Sequence, residues 1–444
     1  MSLPSSEARS WAPPLSRTLL AAASAVQAVG EGDSLTEALA RIDPPLRPSA
    51  QALAFHAMRY MGWADEIAAE MVRKSPGALF DALLCTALTL LRPAGQEPVP
   101  GMPVYAPHTV VDQAVEAVAN SRQLVTYKGL LNACLRRFLR EHEALERAVA
   151  QQPRVRWNHP NWWIEQVRHD YPDQWQQLLL AANVPAPLTL RVNRRRATRQ
   201  SVLDAFQAQG IAATPVGQDG LVLAQPRPVT QLPGFAEGWW SVQDAGAQLA
   251  APLLEPRDGM RVLDACAAPG GKTAHLLELA DVELLALDTD AQRLERVGEN
   301  LARLGLASDR AKLAVADASH LSAWWDGKPF DAVLADVPCT ASGIVRRHPD
   351  IRWLRRADDV ARTARLQARI VDALWKTVAP GGRLLYVTCS IFPAEGEAQA
   401  EAFARRHPDA RRLPAPGQLL PVAIGATPEQ QHDGFFYASF AKQS

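Results

Sequence analysis

The strongest constraint on this fold is an alternation of short apolar runs and amphipathic stretches over residues 241–444. Continuous apolar runs are typical of strands buried on both faces of a sheet. Because helical stretches separate the first five runs, the pattern predicts a doubly wound, Rossmann-like α/β sheet. The last run follows a turn and is expected at the sheet edge. The predicted strands are 261–268, 283–290, 312–317, 330–337, 383–388 and 435–440.

The N-terminal part of the chain has a different texture. Residues 1–150 are rich in Ala and Leu, and apolar residues recur at three- and four-residue spacing, for example at positions 130, 131, 134, 135 and 138. Since β-branched clusters are scarce there, the pattern predicts an all-α bundle. Residues 93–107 contain five prolines and two glycines and are therefore expected to form a loop.

A connector joins these two parts. Residues 188–193 alternate like a strand, 201–209 have a helical pattern, and 221–223 and 239–242 are further short strand candidates. This order predicts a small α+β module. The expected domains are therefore 1–150, 151–240 and 241–444.

Composition restricts the cellular setting and the possible partners. No apolar run reaches the roughly 18 residues that a membrane span needs, and residues 18–29 suit an amphipathic helix better than a signal-peptide core. Five scattered cysteines without a C-x-x-C pair favour neither a disulfide framework nor a metal site, and they indicate a reducing cytoplasm. Lys and Arg together number 47, as do Asp and Glu, so only local charge can indicate a partner.

Polar and reactive residues follow each of the first five predicted strands. In an open α/β sheet, ligands bind at the carboxyl ends of the strands. The first strand leads into a loop with Gly270 and Gly271, which suits close approach to a ligand and an anion-friendly helix start. The second leads to Asp288, which suits the two hydroxyls of a ribose. The third leads to Asp317, which suits an adenine amino group as well as a simple helix cap.

The fourth and fifth strands lead to cysteines. Cys339 follows Asp336 closely, and Cys389 lies between Thr388 and Ser390. If these strands are neighbours, both sulfurs face one cleft. Cys85 and Cys134 lie on apolar helical faces and are expected in the core, whereas Cys266 suits either the core or the ligand loop.

Two thiols beside a nucleoside-binding edge suggest covalent chemistry on a pyrimidine. Carbon-5 of a pyrimidine is a poor nucleophile. A thiolate that adds to carbon-6 makes carbon-5 enamine-like, so that it can attack an electrophilic methyl group. Asp336 is placed to hydrogen-bond the N3/N4 edge of the base. The residues alone leave open which thiol is the nucleophile.

Three stretches resemble a known family. DACAAPGGKT at 264–273, DVPCTASGIVRRHPDIRW at 336–353 and TCSIFPAEGE at 388–397 are similar to motifs of the S-adenosylmethionine-dependent RNA cytosine carbon-5 methyltransferases, the NOL/NOP/Sun group. The resemblance covers nearly the whole chain, and the N-terminal part is similar to the RNA-binding NusB fold. It implies a cytoplasmic, monomeric class I methyltransferase that acts on a specific cytosine of 16S ribosomal RNA, position 967 in the family's target.

The resemblance also implies roles for individual residues. Cys389 would be the nucleophile, Cys339 would act as base or in product release, and Asp336 would lie between cofactor and target base. S-adenosylmethionine would also contact Asp288 and Asp317. The rest of its site would be the loop of Cys266, Ala267, Ala268, Pro269, Gly270, Gly271 and Lys272.

Local charge suggests where RNA binds. Residues 151–200 and 340–370 each hold eight arginines against three acids, and the first stretch also holds four tryptophans. Phosphate neutralisation and aromatic stacking are what RNA binding uses, although either cluster by itself is typical of a solvated helix face. The residues expected to bind RNA are Arg191, Asn193, Arg346 and Arg347.

Alternative functions remain at this point. An amino-directed methyltransferase would carry Pro-Pro-aromatic after the fourth-strand acid, where this chain has Val337-Pro338-Cys339. A nicotinamide-dependent dehydrogenase would carry G-x-G-x-x-G, which is absent. A non-catalytic NusB-like RNA-binding factor would not need both cysteines. Transfer RNA remains an alternative substrate, because the catalytic half does not identify its RNA.

Overall fold

The computed structural model describes residues 13–92, 103–422, 427 and 430–443. The expected loop at 93–107 lies largely outside the described residues. The helices are α1 Leu15–Glu31, α2 Leu35–Ala40, α3 Arg47–Arg59, α4 Met61–Met71, α5 Ala78–Leu91, α6 Pro107–Ala119, α7 Lys128–Val149, α8 Pro153–Trp157, α9 Asn161–Asp170, α10 Trp175–Ala181, α11 Arg199–Ala208, α12 Ala250–Leu254, α13 Gly271–Leu279, α14 Ala291–Leu304, α15 Ile351–Leu354, α16 Ala357–Trp375 and α17 Glu397–Arg406. The strands are β1 Thr189–Val192, β2 Ala213–Val216, β3 Gly220–Leu223, β4 Trp240–Val242, β5 Arg261–Asp264, β6 Glu283–Asp288, β7 Ala311–Val315, β8 Phe330–Asp336, β9 Val378–Thr388, β10 Ala410–Leu419 and β11 Phe435–Lys442.

The chain forms two compact units that do not follow one linear boundary. The first contains the described residues up to Asn161 together with His348–Leu354, which includes α15. The second contains Trp162–Arg347 and the described residues from Arg355 onward. The polypeptide therefore leaves the second unit after Arg347 and returns to it at Arg355.

The first unit is helical, as the apolar spacing predicts. In α1, Leu19, Ala22, Ala23 and Val26 form one buried face, so the stretch at 18–29 is a core helix. In α7, positions 131, 134, 135 and 138 are buried, but Leu130 is 37% exposed and does not belong to the stripe. No helix among the described residues is long and apolar enough to cross a membrane.

The segment that begins the second unit contains a small antiparallel sheet with the strand order β2-β3-β1-β4. Helix α11 follows β1, and its Phe206 packs edge-to-face against Trp240 of β4, with the ring centroids 6.4 Å apart. The predicted α+β character is thus observed. The sequence pattern missed β2, because its middle residues are exposed and it contains Pro215.

The remainder of this unit is a seven-stranded sheet with the order β10-β11-β9-β8-β5-β6-β7. Strands β5 to β9 pair in parallel, whereas β11 is antiparallel to both of its neighbours. Neighbouring residues of β5 enter different apolar clusters, with Val262 packing among Leu276 and Leu301, and Leu263 among Leu374 and Phe403. The sheet is therefore covered on both faces, as the doubly wound pattern predicts.

One strand position was predicted wrongly. Strand β11 lies between β9 and β10, so it is not at the sheet edge. The edge strand next to β11 is β10, which contains Pro414, Pro416 and Gly417, and its register shifts between Leu413 and Gly417. Proline cannot donate to a ladder and is tolerated mainly at edges and bulges, which explains both why the pattern hid this strand and why it can occupy the edge.

Candidate active site

Two thiols meet at the carboxyl end of the large sheet. Strand β8 ends at Asp336 shortly before Cys339, and its parallel neighbour β9 ends at Thr388, directly before Cys389. The Sγ atoms of the two cysteines lie 3.4 Å apart, and both cysteines are free thiols. The prediction that neighbouring strands bring both sulfurs to one edge is therefore confirmed.

The surroundings of Cys339 favour its protonated form. The hydrogen bond with Cys389 and burial raise the pKa of the Cys339 thiol well above its usual value, and the Glu395 carboxylate acts in the same direction. The backbone N–H of Ala341 donates to Cys339 Sγ at 3.4 Å and opposes this shift. Cys339 is therefore a neutral thiol at neutral pH, in hydrogen-bond contact with the second sulfur.

An ion pair lies beside the thiols. Lys272 Nζ donates to Asp336 Oδ2 at 2.6 Å, and both side chains are largely shielded from solvent. Burial lowers the pKa of Lys272, but the Asp336 carboxylate outweighs burial, so that the pKa is raised overall. Negative charge on Cys389 acts in the same direction as Asp336. Lys272 therefore places a positive charge near the Cys389 sulfur.

The loop after β5 approaches the same edge. Gly270 has a φ of 93° and precedes α13, whose first residue is Gly271. A Cβ atom on Gly270 would lie 2.9 Å from a Cγ of Val297, so both the left-handed backbone and the packing require glycine there. The preceding residues Ala267 and Ala268 are small and buried. The loop is therefore held close to the strand ends without bulky side chains.

Asp288 is held against this loop. Its Oδ2 accepts a hydrogen bond from the backbone N–H of Ala268 at 3.1 Å, and its Oδ1 accepts one from that of Asp290 at 3.0 Å. Arg293 Nη1 lies 3.9 Å from Oδ1. A carboxylate has about four lone-pair positions, so Asp288 keeps acceptor capacity for a ligand.

Asp317 lies after β7 and is more open, with its side chain 37% exposed. Burial raises the pKa of Asp317, but two hydrogen bonds from Ser319 outweigh it, so that the pKa is lowered overall. These bonds, from the backbone N–H at 2.8 Å and from Oγ at 2.7 Å, both reach Oδ1. Oδ2 lies 3.5 Å from Nδ1 of His320. The carboxylate is therefore ionised and partly accessible.

Two further groups lie at this edge, the fully buried Asp264 and the partly buried Cys266. Burial raises the pKa of Asp264 to about 7, although Thr273 Oγ1 donates to its Oδ2 at 2.6 Å. Burial, together with the nearby Asp336 and Asp264 carboxylates, also raises the pKa of Cys266, so this thiol stays protonated. Among the residues that the structure describes, no group of three or more His, Cys, Asp or Glu side chains could hold a metal ion.

Comparison with known proteins identifies the family. The chain is 42% identical over 439 residues to the ribosomal RNA small subunit methyltransferase B of Vibrio cholerae, and the match covers 95% of this chain and 97% of that protein. The chain belongs to the ribosomal RNA small subunit methyltransferase B family. A second member, from Pseudomonas syringae pv. tomato, is 42% identical over 95% of this chain and 96% of its own length.

Family models and solved structures agree with this family assignment. Residues 251–441 match the 16S rRNA methyltransferase RsmB/F model, and residues 159–230 match the ferredoxin-like domain model of RsmF/B-like methyltransferases. A crystal structure of a methyltransferase homolog protein from Pyrococcus horikoshii is 27% identical, with a TM-score of 0.56. It covers 65% of this chain and 97% of that chain. The resemblance inferred from the motifs is thereby confirmed.

Two residues expected to bind RNA lie in the interior instead. Arg191 is fully buried and forms a bidentate ion pair with Glu278 at 2.7 and 2.9 Å. Asn193 is also fully buried, and its amide donates to the carbonyls of Gly238 and Leu304, both at 3.0 Å. The geometry therefore does not support an RNA contact by either side chain, because their hydrogen-bonding groups are engaged by partners in the protein interior, including Glu278 and the carbonyl of Leu304.

The paired arginines after Cys339 are engaged as well. Arg346, which is 4% exposed, and Arg347 both donate to the Asp433 carboxylate. Arg347 also donates to Asp244 Oδ2 at 2.7 Å and to the carbonyl of Pro187 at 3.1 Å. This arrangement favours a structural role for both arginines over the predicted phosphate contact. Of the four tryptophans in residues 151–200, Trp163 is likewise buried: it is 1% exposed, and its ring centroid lies 5.2 Å from that of Phe392.

One buried residue near the thiols had no role in the sequence analysis. Glu395 lies within the TCSIFPAEGE stretch, and its carboxylate accepts hydrogen bonds from Thr340 and Ser390, the residues that follow the two cysteines. A lone acid in a loop gives no sign of burial. The only available signal was its position five residues after Ser390, within a motif shared with the family.

Proposed function

We propose that this protein transfers a methyl group from S-adenosylmethionine to carbon-5 of a specific cytosine in small-subunit ribosomal RNA. The main observation in support is the pair of free thiols, whose sulfurs lie 3.4 Å apart beside the Lys272–Asp336 ion pair. Amino-directed methyl transfer needs no thiol, so this pair favours carbon-5 chemistry. The names of the relatives support small-subunit ribosomal RNA as the substrate.

The residues of this edge fit S-adenosylmethionine, which supplies an electrophilic methyl group when bound. Asp288 keeps acceptor capacity for the ribose hydroxyls, and Asp317 is ionised and accessible enough to accept from the adenine amino group. The rest of the site would be the loop Cys266, Ala267, Ala268, Pro269, Gly270, Gly271 and Lys272, with Asp336 at its inner end. The small side chains of this loop leave room for close approach of the ligand.

The thiols would divide the covalent steps between them. The Cys389 sulfur, which lies near the Lys272 ammonium, adds to carbon-6 as a thiolate, and the displaced electron pair makes carbon-5 nucleophilic. After methylation, the carbon-5 proton passes to water, and the neutral Cys339 thiol assists release by donating a hydrogen bond to the departing Cys389 sulfur. The electrons of that C–H bond re-form the carbon-5 to carbon-6 double bond, and Cys389 leaves as a thiolate.

Asp336 and Lys272 would orient the base. The Asp336 carboxylate can accept a hydrogen bond from the exocyclic N4 amino group of cytosine, a donor that uracil lacks. Lys272 fixes this carboxylate through the 2.6 Å contact. A cytosine within paired RNA would have to be extruded to reach these groups. Asp336 is therefore the residue to which we assign recognition of cytosine.

We propose a three-part division of labour along the chain. Residues 1–150 would be a NusB-like RNA-binding domain, 151–240 a small RNA-binding module, and 241–444 the catalytic domain. The helical character of the first part and the ferredoxin-like match over 159–230 support this proposal. Free thiols and a ribosomal substrate both favour a cytoplasmic enzyme, and we expect it to act as a monomer.

Bisulfite sequencing of ribosomal and transfer RNA tests the substrate. Cells that lack this protein should lose 5-methylcytosine at one position of 16S ribosomal RNA, expected at the family's position 967. The wild-type gene should restore the mark, and a gene carrying Cys389→Ala should not. Loss confined to transfer RNA would overturn the ribosomal assignment, and no loss in either RNA would overturn carbon-5 methylation altogether.

Trapping of covalent RNA tests the roles of the two cysteines. Cys339→Ala should accumulate a protein–RNA adduct that survives denaturing gels, because addition still occurs while release is blocked. The double variant with Cys389→Ala should form none. An adduct in Cys389→Ala alone, with none in Cys339→Ala, would reverse the two roles.

A further inference from the structure

The fully buried carboxylate of Glu395 collects hydrogen bonds from several directions. The backbone N–H of Thr340 donates to Oε1 at 2.8 Å, and Ser390 Oγ donates to Oε2 at 2.6 Å. The Thr340 hydroxyl, the Thr363 hydroxyl and the Gln367 amide also donate to it. Among the described residues, no cation forms an ion pair with Glu395.

The donors come from both cysteine loops. Thr340 directly follows Cys339 on the loop after β8, and Ser390 directly follows Cys389 on the loop after β9. One carboxylate thus joins the two short segments whose sulfurs are 3.4 Å apart. A change at this single side chain would therefore act on the relative position of both thiols.

Further bonds hold Glu395 itself in place. The hydroxyls of Tyr386 and Thr388, both on β9, donate to its carbonyl oxygen at 2.8 and 3.3 Å. Gln367 of α16 donates to Oε1 at 3.2 Å and also to the carbonyl of Pro338, just before Cys339, at 3.0 Å. Glu395 is therefore held at its backbone carbonyl by the strand and at its carboxylate by the helix, so its position relative to the two loops is fixed.

Packing alone does not account for this residue. A buried carboxylate without a cation is costly, and five hydrogen-bond donors are needed to stabilise this one. Its charge also acts on the chemistry, because it contributes to the raised pKa of Cys339. The cost of burying this carboxylate is explained if the protein uses both its hydrogen bonds to the two cysteine loops and its negative charge.

We propose that Glu395 is the positioning residue of the thiol pair, which sets the separation of Cys339 and Cys389 and maintains a negative charge beside Cys339. This inference rests on the proposed function only for the catalytic use of the pair. It assigns Glu395 no contact with RNA or with the methyl donor.

Thiol titration tests the charge of Glu395 without any substrate. Glu395→Gln removes the charge at nearly constant shape, and Glu397→Gln is the matched control, because Glu397 is 44% exposed and pairs with Arg412. Alkylation by iodoacetamide is followed across pH, and peptide mass spectrometry assigns it to Cys339. The midpoint for Cys339 should fall by about one pH unit or more in Glu395→Gln and stay unchanged in Glu397→Gln. Equal midpoints in both variants would overturn the proposal.

Steady-state kinetics tests positioning. In Glu395→Gln, kcat for methyl transfer should fall by about tenfold or more, whereas KM for S-adenosylmethionine should change by less than about twofold. Displaced sulfurs slow the addition and release steps without altering the binding of the methyl donor. A raised KM with an unchanged kcat would instead indicate a general disturbance of the site and would contradict positioning.

A second pair of variants keeps the test decisive if Glu395→Gln does not fold. Ser390→Ala removes a donor on a cysteine loop, whereas Thr363→Val removes a donor on α16, which carries no cysteine. Ser390→Ala should reduce kcat by about threefold more than Thr363→Val does. Equal reductions would overturn the link between Glu395 and the loops. If the wild-type protein methylates no cytosine, the titration still tests Glu395 by itself.

Discussion

The first, helical unit, called the bundle below, and the second unit, which holds the thiol pair and is called the catalytic unit, bury polar groups in different ways. In the bundle, buried hydroxyls return to carbonyls of their own helix, as Thr86 does to Ala82 at 2.7 Å and Thr89 to Thr86 at 2.8 Å. In the catalytic unit, buried charges pair across distant segments, as Arg191 does with Glu278. The apolar pattern therefore accounts for most of the bundle interior, which also has long-range polar contacts such as that of the Gly62 N–H with Asn158 Oδ1 at 2.9 Å, whereas the catalytic unit depends in addition on buried ion pairs.

Breaking a buried ion pair of the catalytic unit should give the largest loss of stability. Arg191→Ala leaves Glu278 buried without its cation and removes donors to Gln243 and Gly271, so we expect a loss of about 5 kcal/mol. Native-state hydrogen exchange should show the loss in peptides of the catalytic unit. The double variant Arg191→Met/Glu278→Leu should recover most of it. If Arg191→Ala is as stable as wild type but binds RNA more weakly, the original assignment to RNA is restored.

The pH dependence of stability should also separate the two units. Because the pKa of Asp264 is raised to about 7 in the folded protein, the unfolded chain ionises this group at lower pH than the folded protein does. The protonated Asp264 therefore contributes its full stabilisation below about pH 4. This contribution, about 4 kcal/mol in total, is lost as the pH rises to about 7, and the stability does not change further with this group above that pH.

The variant Asp264→Asn isolates this contribution. Hydrogen exchange from pH 4 to 8, measured relative to wild type, should show a smaller loss of stability with rising pH in the catalytic unit. Peptides of the bundle should not respond. Identical pH profiles for the two proteins would mean that Asp264 is ionised throughout this range.

A core truncation should affect the bundle more moderately. Leu135 is fully buried in α7, and Leu135→Ala should cost about 3 kcal/mol in bundle peptides. Leu135→Met, which nearly conserves volume, should cost less than about 1.5 kcal/mol. A large loss from the methionine variant would show that the bundle also depends on detailed complementarity, and the contrast would weaken.

Exposed ion pairs should contribute least. Arg147 and Glu143 are separated by one helical turn on α7 at 3.6 Å and are about three-quarters exposed. Replacing either by Ala should change stability by less than about 0.5 kcal/mol, as measured by urea unfolding. A loss comparable to that of Arg191→Ala would show that burial is not what distinguishes the two kinds of pair.

The sequence allowed the parallel strands and the thiol pair to be predicted because both depend on local signals. Strand β6 is a continuous apolar run, and Cys339 and Cys389 each follow a run that predicts a buried strand. Strand β10 was missed because its prolines and glycine suppress the usual strand pattern.

Burial of charged residues was the main feature that the sequence could not reveal. Arg191 reads as part of a basic cluster, and its partner Glu278 lies 87 positions away. Arg346 and Arg347 likewise depend on Asp433, which lies beyond two further strands. The ion-pair partner of a charged residue becomes known only from the tertiary fold. Counting arginines along the sequence therefore overestimated the accessible positive surface.

The excursion of His348–Leu354 into the helical unit has a consequence for dissecting this molecule. There, Asp350 Oδ2 accepts from the backbone N–H of Leu35 at 3.0 Å, and Trp353 Nε1 donates to the carbonyl of Met58 at 3.1 Å. No single cut in the polypeptide can yield two self-sufficient pieces. A fragment starting at residue 162 would contain His348–Leu354 without the helical residues that this segment contacts. Gene fragments meant to express the catalytic half by itself should therefore replace the excursion with a short linker or supply the helical half in trans.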